Sequence, residues 1–351
     1  MNISAVLINH NGGHTILTAI QSILNQRQTW DQIIVVDNGS TDGSNEEIRQ
    51  HHPIVELVEL GKNMGLPYAR NAGISKTDSD LVLLLDDDVY LSPGSLEYMI
   101  NAIQDTGAPV ICPRIVLHPE NEIIQCDGAS IHHTGALVLR HSFEKTTLHP
   151  PKRHLVTAFI GACLLFNAKL LRELGGFDKD YFFYLEDLEL SFRLTSLGYR
   201  ICCEENAVAL HERGAGTEDL SFRGKGVYPA KRAYFNLRHR WLTILIYFQL
   251  RTFILLFPAL ILYEMAAFIE SFRRGWLEMY FKAFLSLIQK RKSILQRRRY
   301  WGSRRKVSDR HILTGGMLPF SRGFVEPSRI KLVHVLDFVL NSYWNMAKQW
   351  L

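Results

Sequence analysis

Through the first 210 residues, short apolar runs alternate with stretches in which apolar positions recur every three or four places. Ile3 to Ile8, Ile33 to Val36, Val55 to Leu60, Leu81 to Leu85 and Val110 to Ile111 are predicted strands. Between them, "HTILTAIQSILNQ" and "SPGSLEYMINAIQ" carry the helical period. Strands separated by helices imply a mostly parallel sheet covered on both faces, an α/β domain. "TAFIGACLLFNAKLLRELGGFD" (157–178) predicts one further strand, an N-cap at Asn167, a short helix and a glycine stop. In such sheets ligands bind beyond the carboxyl ends of the strands, so the residues that follow each strand are the candidates.

Those exits are consistently polar: Asn9 to Gly13, "DNGSTDGS" (37–44), "GKNMGLPYARNAGI" (61–74), and Asp86, Asp87 and Asp88 at the end of "LVLLLDDDVY". Each alone reads equally well as a turn or a helix cap; four on one sheet edge point to a ligand site. Two carboxylates about 4 Å apart repel by roughly 4 kcal/mol at an effective dielectric of 20, so the aspartate run needs solvent or a cation. In an extended segment Asp86 and Asp88 point to one side and Asp87 to the other, toward solvent or a cap. A second acidic segment, "YFFYLEDLELSFRLTSLGYRI", sets Glu186 and Asp187 at the start of a helix with Leu188, Phe192 and Leu197 facing inward. There the helix dipole alone accounts for them, or one is a general base if burial offsets the lowering effect of the helix end; the sequence leaves both readings open.

Taken in order, "VVDNGSTDGS", "NMGLPYARNAGI", "LLLDDDV", "GGFDKDYFFYLEDLELSFRLTSLGYRI" and "ALHERGAGT" make the chain resemble family 2 glycosyltransferases with the GT-A fold, in particular bacterial rhamnosyltransferase-like members. The resemblance covers about residues 3–217. It implies a Rossmann-like, mostly parallel catalytic domain over 1–217; beyond it the residues themselves predict a helical C-terminal region over 218–351. The resemblance implies a nucleotide-diphosphate sugar donor, with Asp37 at the base, Asn9 beside it, and Asn63, Gly65 and Arg70 bordering the nucleotide and its phosphates. Asp86 and Asp88 match the DxD positions: Asp86 near the ribose or metal, Asp88 as metal ligand, with Asp87 between them at the donor site. His211 matches a residue that completes the metal shell in some relatives. Asp187, with Glu186 beside it, matches the catalytic base of an inverting transfer to a hydroxyl of a glycan or lipid-linked acceptor in cell-envelope polysaccharide synthesis. Magnesium or manganese fits oxygen ligands that leave positions open for phosphate.

Two glycine-containing stretches suit a closing site: Gly161 in "FIGACLLF", where backbone approaches the sugar, and "ERGAGTEDLSFRGKG" (212–226), a lid or a plain linker.

Composition adds a division of labour. Residues 1–222 hold 16 Lys+Arg against 29 Asp+Glu, whereas residues 223–310 hold 20 against 4. The basic part is also apolar, with charge-free runs at 241–250 and 252–263 that are short for a spanning helix and suit an in-plane or shallow membrane helix. Basic clusters at 290–292, 297–299 and 304–306, with Trp276, Tyr300 and Trp301, fit an anionic membrane surface. The plainer alternative packs these helices on the catalytic part or on a second subunit, as a homo-oligomer. The last helix is predicted to place Leu332, Leu336, Val339, Tyr343, Ala347 and Trp350 on one face. No nucleic-acid motif accompanies the positive charge, so a nucleic-acid partner is not expected.

The five cysteines lack metal or disulfide spacing, and no secretory signal is apparent, so a peripheral or monotopic place on the cytoplasmic face of the cell membrane is expected. His118, His132, His133, His141, His149 and His154 are read as surface or acceptor-facing loop residues, with a metal site a lesser option. Two rival functions stand beside the transferase: a haloacid-dehalogenase-like phosphatase, whose nucleophile motif "LLLDDDV" also fits, and a non-catalytic sugar-binding membrane scaffold.

Overall fold

The computed structural model describes residues 1–212, 228–318 and 324–351. They divide into two compact units: residues 1–129, 139–190 and 199–216 in the first, residues 130–138, 191–198 and 217–351 in the second.

In chain order the elements up to residue 211 are β1 (Ile3–Asn9), α1 (Gly13–Leu24), β2 (Gln32–Asp37), α2 (Ser44–His51), β3 (Glu56–Glu59), α3 (Leu66–Ile74), β4 (Leu81–Asp86), β5 (Val89–Leu91) and α4 (Ser95–Thr106). There follow β6 (Val110–Leu117), β7 (Ile124–Cys126), β8 (Ala129–His132), β9 (Leu137–Leu139), β10 (Arg153–Val156), β11 (Cys163–Asn167), α5 (Ala168–Glu173), α6 (Glu186–Ser196) and β12 (Ile201–His211). The main sheet runs β10-β12-β6-β11-β4-β1-β2-β3. β3, β2, β1 and β4 are parallel neighbours, and β6 and β12 form a second parallel pair. β11 lies between them antiparallel to both β4 and β6, a reversal that strand periodicity alone does not encode. β1 and the apolar part of β4 are buried throughout, as near-continuous apolar runs require when both faces of a sheet are covered. At the end of β11, the Asn167 side chain accepts a hydrogen bond from the backbone N–H of Leu170 at 2.9 Å, capping α5 as its sequence predicts.

Because β1, β2 and β4 run in register, their carboxyl ends fall together: Asn9 pairs with Asp37, and Ile8 with Asp86. This edge gathers the polar exits.

The second unit is mainly helical: α7 (Ala230–Tyr247), α8 (Leu250–Arg273), α9 (Leu277–Gln289), α10 (Arg291–Arg304), α11 (Asp309–Ile312), β13 (Leu313–Thr314) and α12 (Ile330–Ala347). The two apolar runs read from sequence become α7 and α8, broken at Phe248 and Gln249, and α8 continues well past Glu264. α8 is long and apolar enough to cross a membrane by length and composition. β13 pairs with β8 in a small sheet. There His132 and His133 are fully buried, contrary to their reading as surface loop residues. His133 stacks on Trp344 with ring centroids 5.1 Å apart, and burial lowers the two imidazoles to about 4 and about 3 respectively, so both are neutral. All five cysteines are buried thiols.

Candidate active site

Every residue singled out as a site candidate lies in the first unit. The loop after β1 and the loop after β2 are tied by Asn9, whose buried amide donates to Ser44 Oγ at 2.9 Å and Ser40 Oγ at 3.2 Å. Asp37 accepts from the backbone N–H groups of Gly39 and Ser40, an Asx turn that ends β2. Asn38 reaches the third exit: its amide donates to Asn63 Oδ1 at 3.2 Å and its oxygen accepts from Met64 N at 2.8 Å. Asn63 Nδ2 lies 3.1 Å from His10 Nε2. Gly65 adopts φ +87° and has no room for a side chain: a Cβ there falls 2.6 Å from the Phe182 ring. His10, Asn38 and Phe182 therefore tie these loops together; each lies in a segment the sequence marked, though none was singled out by itself.

Arg70, on α3, is the centre of the arrangement. Its guanidinium is fully buried and donates to Glu186 Oε1 at 2.9 Å, Asp86 Oδ1 at 2.8 Å and the Gly161 carbonyl at 2.8 Å. It also lies 5.0 Å above the Phe177 ring. One cation thus joins the end of β4, the start of α6 and the segment before β11. The glycine at 161 is explained here: a Cβ falls 2.6 Å from Arg70 Nη1, so it is the guanidinium that crowds this backbone. The Gly161 N–H in turn donates to Asp187 Oδ2 at 3.2 Å, and Asp187 Oδ1 accepts from Leu188 N at 2.7 Å.

Burial raises the carboxyl pKa values of Asp86 and Asp187, and that of Glu186 to about 7, against the lowering pull of Arg70. For Asp187, burial outweighs the helix-end hydrogen bonds. Tyr184 and Leu185, immediately before α6, have φ of +68° and +63°. Bulky residues adopt this left-handed region at a cost of about 1–3 kcal/mol each, and such strain clusters at functional sites.

The aspartate run separates as the alternation implies. Asp87 caps the first loop by accepting from His10 N at 2.9 Å. Asp88 Oδ1 lies 3.3 Å from His211 Nε2, and both groups act electrostatically on Asp86. Leu210 and His211 on β12 pair with Tyr90 and Val89 on β5, which delivers His211 to the aspartates. The buried His211 Nδ1 has no hydrogen-bond partner among the described residues. A carboxylate pair with an imidazole fits a divalent cation of the magnesium, manganese or zinc kind. Elsewhere, the group of Asp127, His141 and Glu205 brings possible ligand atoms within 4.8 Å of one another, as Asp86, Asp88 and His211 do not. Arg114 already bridges it, at 2.7 Å to Asp127 Oδ1 and 2.9 Å to Glu205 Oε2, so a guanidinium supplies the positive charge there. Of the lid candidate, Glu212 accepts from the Tyr90 hydroxyl, and residues 213–226 lie outside the described residues.

Residues 4–175 match the family model described as glycosyl transferase family 2. Among curated proteins, the chain is 26% identical over 208 residues to N-acetylglucosaminyl-diphospho-decaprenol L-rhamnosyltransferase of Mycobacterium tuberculosis, covering 53% of this chain and 67% of that protein. It is 27% identical over 169 residues to the succinoglycan biosynthesis protein ExoO of Rhizobium meliloti, covering 48% and 44%. Among solved structures, it resembles GalNAc-T7 with UDP, GalNAc and Mn2+ (TM-score 0.57, 13% identity, 84% of this chain and 57% of that one). It also resembles the mannosyltransferase PcManGT of Pyrobaculum calidifontis in complex with GDP-Man and Mn2+ (TM-score 0.50, 19% identity, 82% and 75%). These likenesses give the phosphatase alternative no support. Residues 4–175 are thus a glycosyl transferase family 2 region, built on a mostly parallel sheet of the GT-A kind.

Proposed function

We propose that the protein transfers a sugar from a nucleotide-diphosphate donor to a hydroxyl of a glycan or lipid-linked acceptor, with inversion at the anomeric carbon, at the cytoplasmic face of a membrane. The observation that carries this reading is the placement of Asp187: a half-buried carboxylate of raised pKa, held by the Gly161 N–H and joined through Arg70 to Asp86 at the end of β4. A carboxylate whose pKa lies above the ordinary value is the stronger proton acceptor near neutral pH.

In this reading the acceptor hydroxyl gives its proton to a carboxylate oxygen of Asp187 as its oxygen attacks the anomeric carbon. The bond from that carbon to the diphosphate breaks on the opposite face, and the nucleoside diphosphate leaves with the electron pair. Glu186 and Asp86 hold Arg70, and Arg70 holds the Gly161 backbone that orients Asp187. Asn9, Asp37, Asn63 and Gly65 shape the loops where the nucleotide lies. Asp86, Asp88 and His211 are the residues to hold a divalent cation, which supplies charge stabilisation worth several kcal/mol to the departing diphosphate. The rhamnosyltransferase among the relatives makes a deoxyhexose donor and a polyprenyl-diphosphate-linked acceptor the first pair to try.

A thermal-shift screen of nucleotide sugars, with manganese and with chelator, tests the donor and metal assignments together. A ligand at 100 times its dissociation constant adds about 2.7 kcal/mol of stability. The expected result is a rise in melting temperature with a nucleotide sugar plus manganese that chelator abolishes. No shift with any nucleotide would contradict the assignment.

A further inference from the structure

The helices of the second unit carry large apolar residues on their outward side as well as on the side packed against protein. On α8, Leu250, Ile254, Phe257, Ile261, Met265 and Phe272 are between 40% and 66% exposed. With Phe268 between the last two, they recur every three or four residues and make one stripe along the helix, about 33 Å long at 1.5 Å per residue. The side of α8 that faces protein buries Leu256, Ala259 and Leu260 together with Thr252, Glu264 and Ser271. Glu264 accepts there from the Trp241 indole at 2.6 Å and from Arg240.

The pattern repeats on the neighbouring helices. α12 buries Asp337, which accepts from Leu318 N at 2.8 Å, while Phe338 is 73% exposed and Leu332 and Val335 are exposed beside it. α9 exposes Phe281, Leu285 and Ile288 and buries Ala283 and Leu287. Helices that bury an apolar side and also expose contiguous large apolar residues present a surface suited to an apolar phase rather than to water.

We propose that this outward face of α8, α9 and α12 docks in the plane of a bilayer that carries anionic lipid. Charge selects this occupant over a second apolar protein surface. The stretch 223–310 holds 20 basic against 4 acidic residues, and Arg251, Arg291, Lys292, Lys331 and Lys348 are exposed on these helices and their ends. Beside Arg251, an open apolar groove of about 470 Å³ lined by Leu250, Ile254, Leu255 and the exposed Trp350 is suited to an acyl chain under an anionic headgroup.

Docking in the plane, rather than crossing, follows from the one-sidedness of the stripe and from α9, where Glu278 and Lys282 form an exposed ion pair. Such a pair stays in water, while the apolar side of an interfacial helix sinks about 5–10 Å into the headgroup and acyl boundary. The inference deepens the membrane part of the proposed function and uses none of its chemistry.

Flotation of the full chain tests it, with vesicles of phosphatidylcholine alone and of phosphatidylcholine mixed with phosphatidylglycerol. The wild type is expected to float with the mixed vesicles, less at high salt, and to be released from them at alkaline pH. Phe257→Ser with Phe338→Ser lowers the bound-to-free ratio by about tenfold or more, from lost apolar burial, and Arg291→Gln with Lys292→Gln removes part of the preference for anionic vesicles. Both pairs lie on exposed positions, and an unchanged melting temperature verifies that the variants fold. Three outcomes overturn the proposal: no flotation with either vesicle, unaltered flotation of the Phe257/Phe338 variant, or a soluble dimer that this variant dissociates. Resistance of the bound protein to alkaline extraction overturns the in-plane mode in favour of a crossing helix. Because the readout is binding to lipid, a failed transferase assay leaves this result standing, and the reverse holds too.

Discussion

Asp187→Asn is expected to reduce sugar transfer by about 10²- to 10⁴-fold, the usual contribution of a positioned general base, while donor binding and melting temperature stay near those of the wild type. The amide keeps an oxygen for the Gly161 or Leu188 N–H, which now meet the two oxygens of the carboxylate. It removes a charge that burial already disfavours, so the fold loses little. What it cannot do is take a proton from the acceptor. Transfer kinetics and a nucleotide-sugar binding isotherm on one preparation separate the possibilities. Full activity removes Asp187 from the role of base. Loss of donor affinity in proportion to activity places it at the donor instead.

Arg70→Met is expected to destabilise the first unit by about 3–5 kcal/mol, because it leaves the buried Glu186 and the half-buried Asp86 without their cation. Asp86 and Glu186 both lose a charged hydrogen bond and Gly161 loses a donor to its carbonyl. Arg70→Lys rescues only part of this, since one ammonium cannot reproduce the planar fork that reaches three acceptors. Combining Arg70→Met with Glu186→Gln recovers some stability, and a double-mutant cycle on melting data measures the coupling. A wild-type melting temperature for Arg70→Met would show that the network is not what joins α3, β4 and α6.

Local features of the fold were legible in the chain, and long-range ones were not. The strand exits at Asn9, Asp37 and Asp86, the cap at Asn167 and the inward face of α6 at Leu188 and Phe192 each depend on residues within one or two turns of themselves. The partners of Arg70 lie 16, 91 and 116 residues away, and no periodicity marks such pairs. Gly161 was read as room for a sugar because its real neighbour comes from another element.

The antiparallel insertion of β11 is likewise a property of the assembled sheet. On α12 apolar residues occupy several phases of the helix, so periodicity could not choose among them. The sequence reading set Leu332, Val339 and Trp350 with Tyr343 and Ala347, whereas the structure exposes the first three and buries Leu340, Trp344 and Ala347 around Asp337. His132 and His133 escaped notice as buried residues for a related reason: the ring that covers His133 is Trp344, over 200 residues on.

The central claim is a single displacement driven by Asp187 at a donor held by the exits of β1, β2 and β4. Its most direct test is the anomeric configuration of the product, read by the one-bond carbon–proton coupling in NMR after turnover of an accepted nucleotide sugar with manganese. The account predicts a product inverted relative to the donor. A product of retained configuration would contradict it.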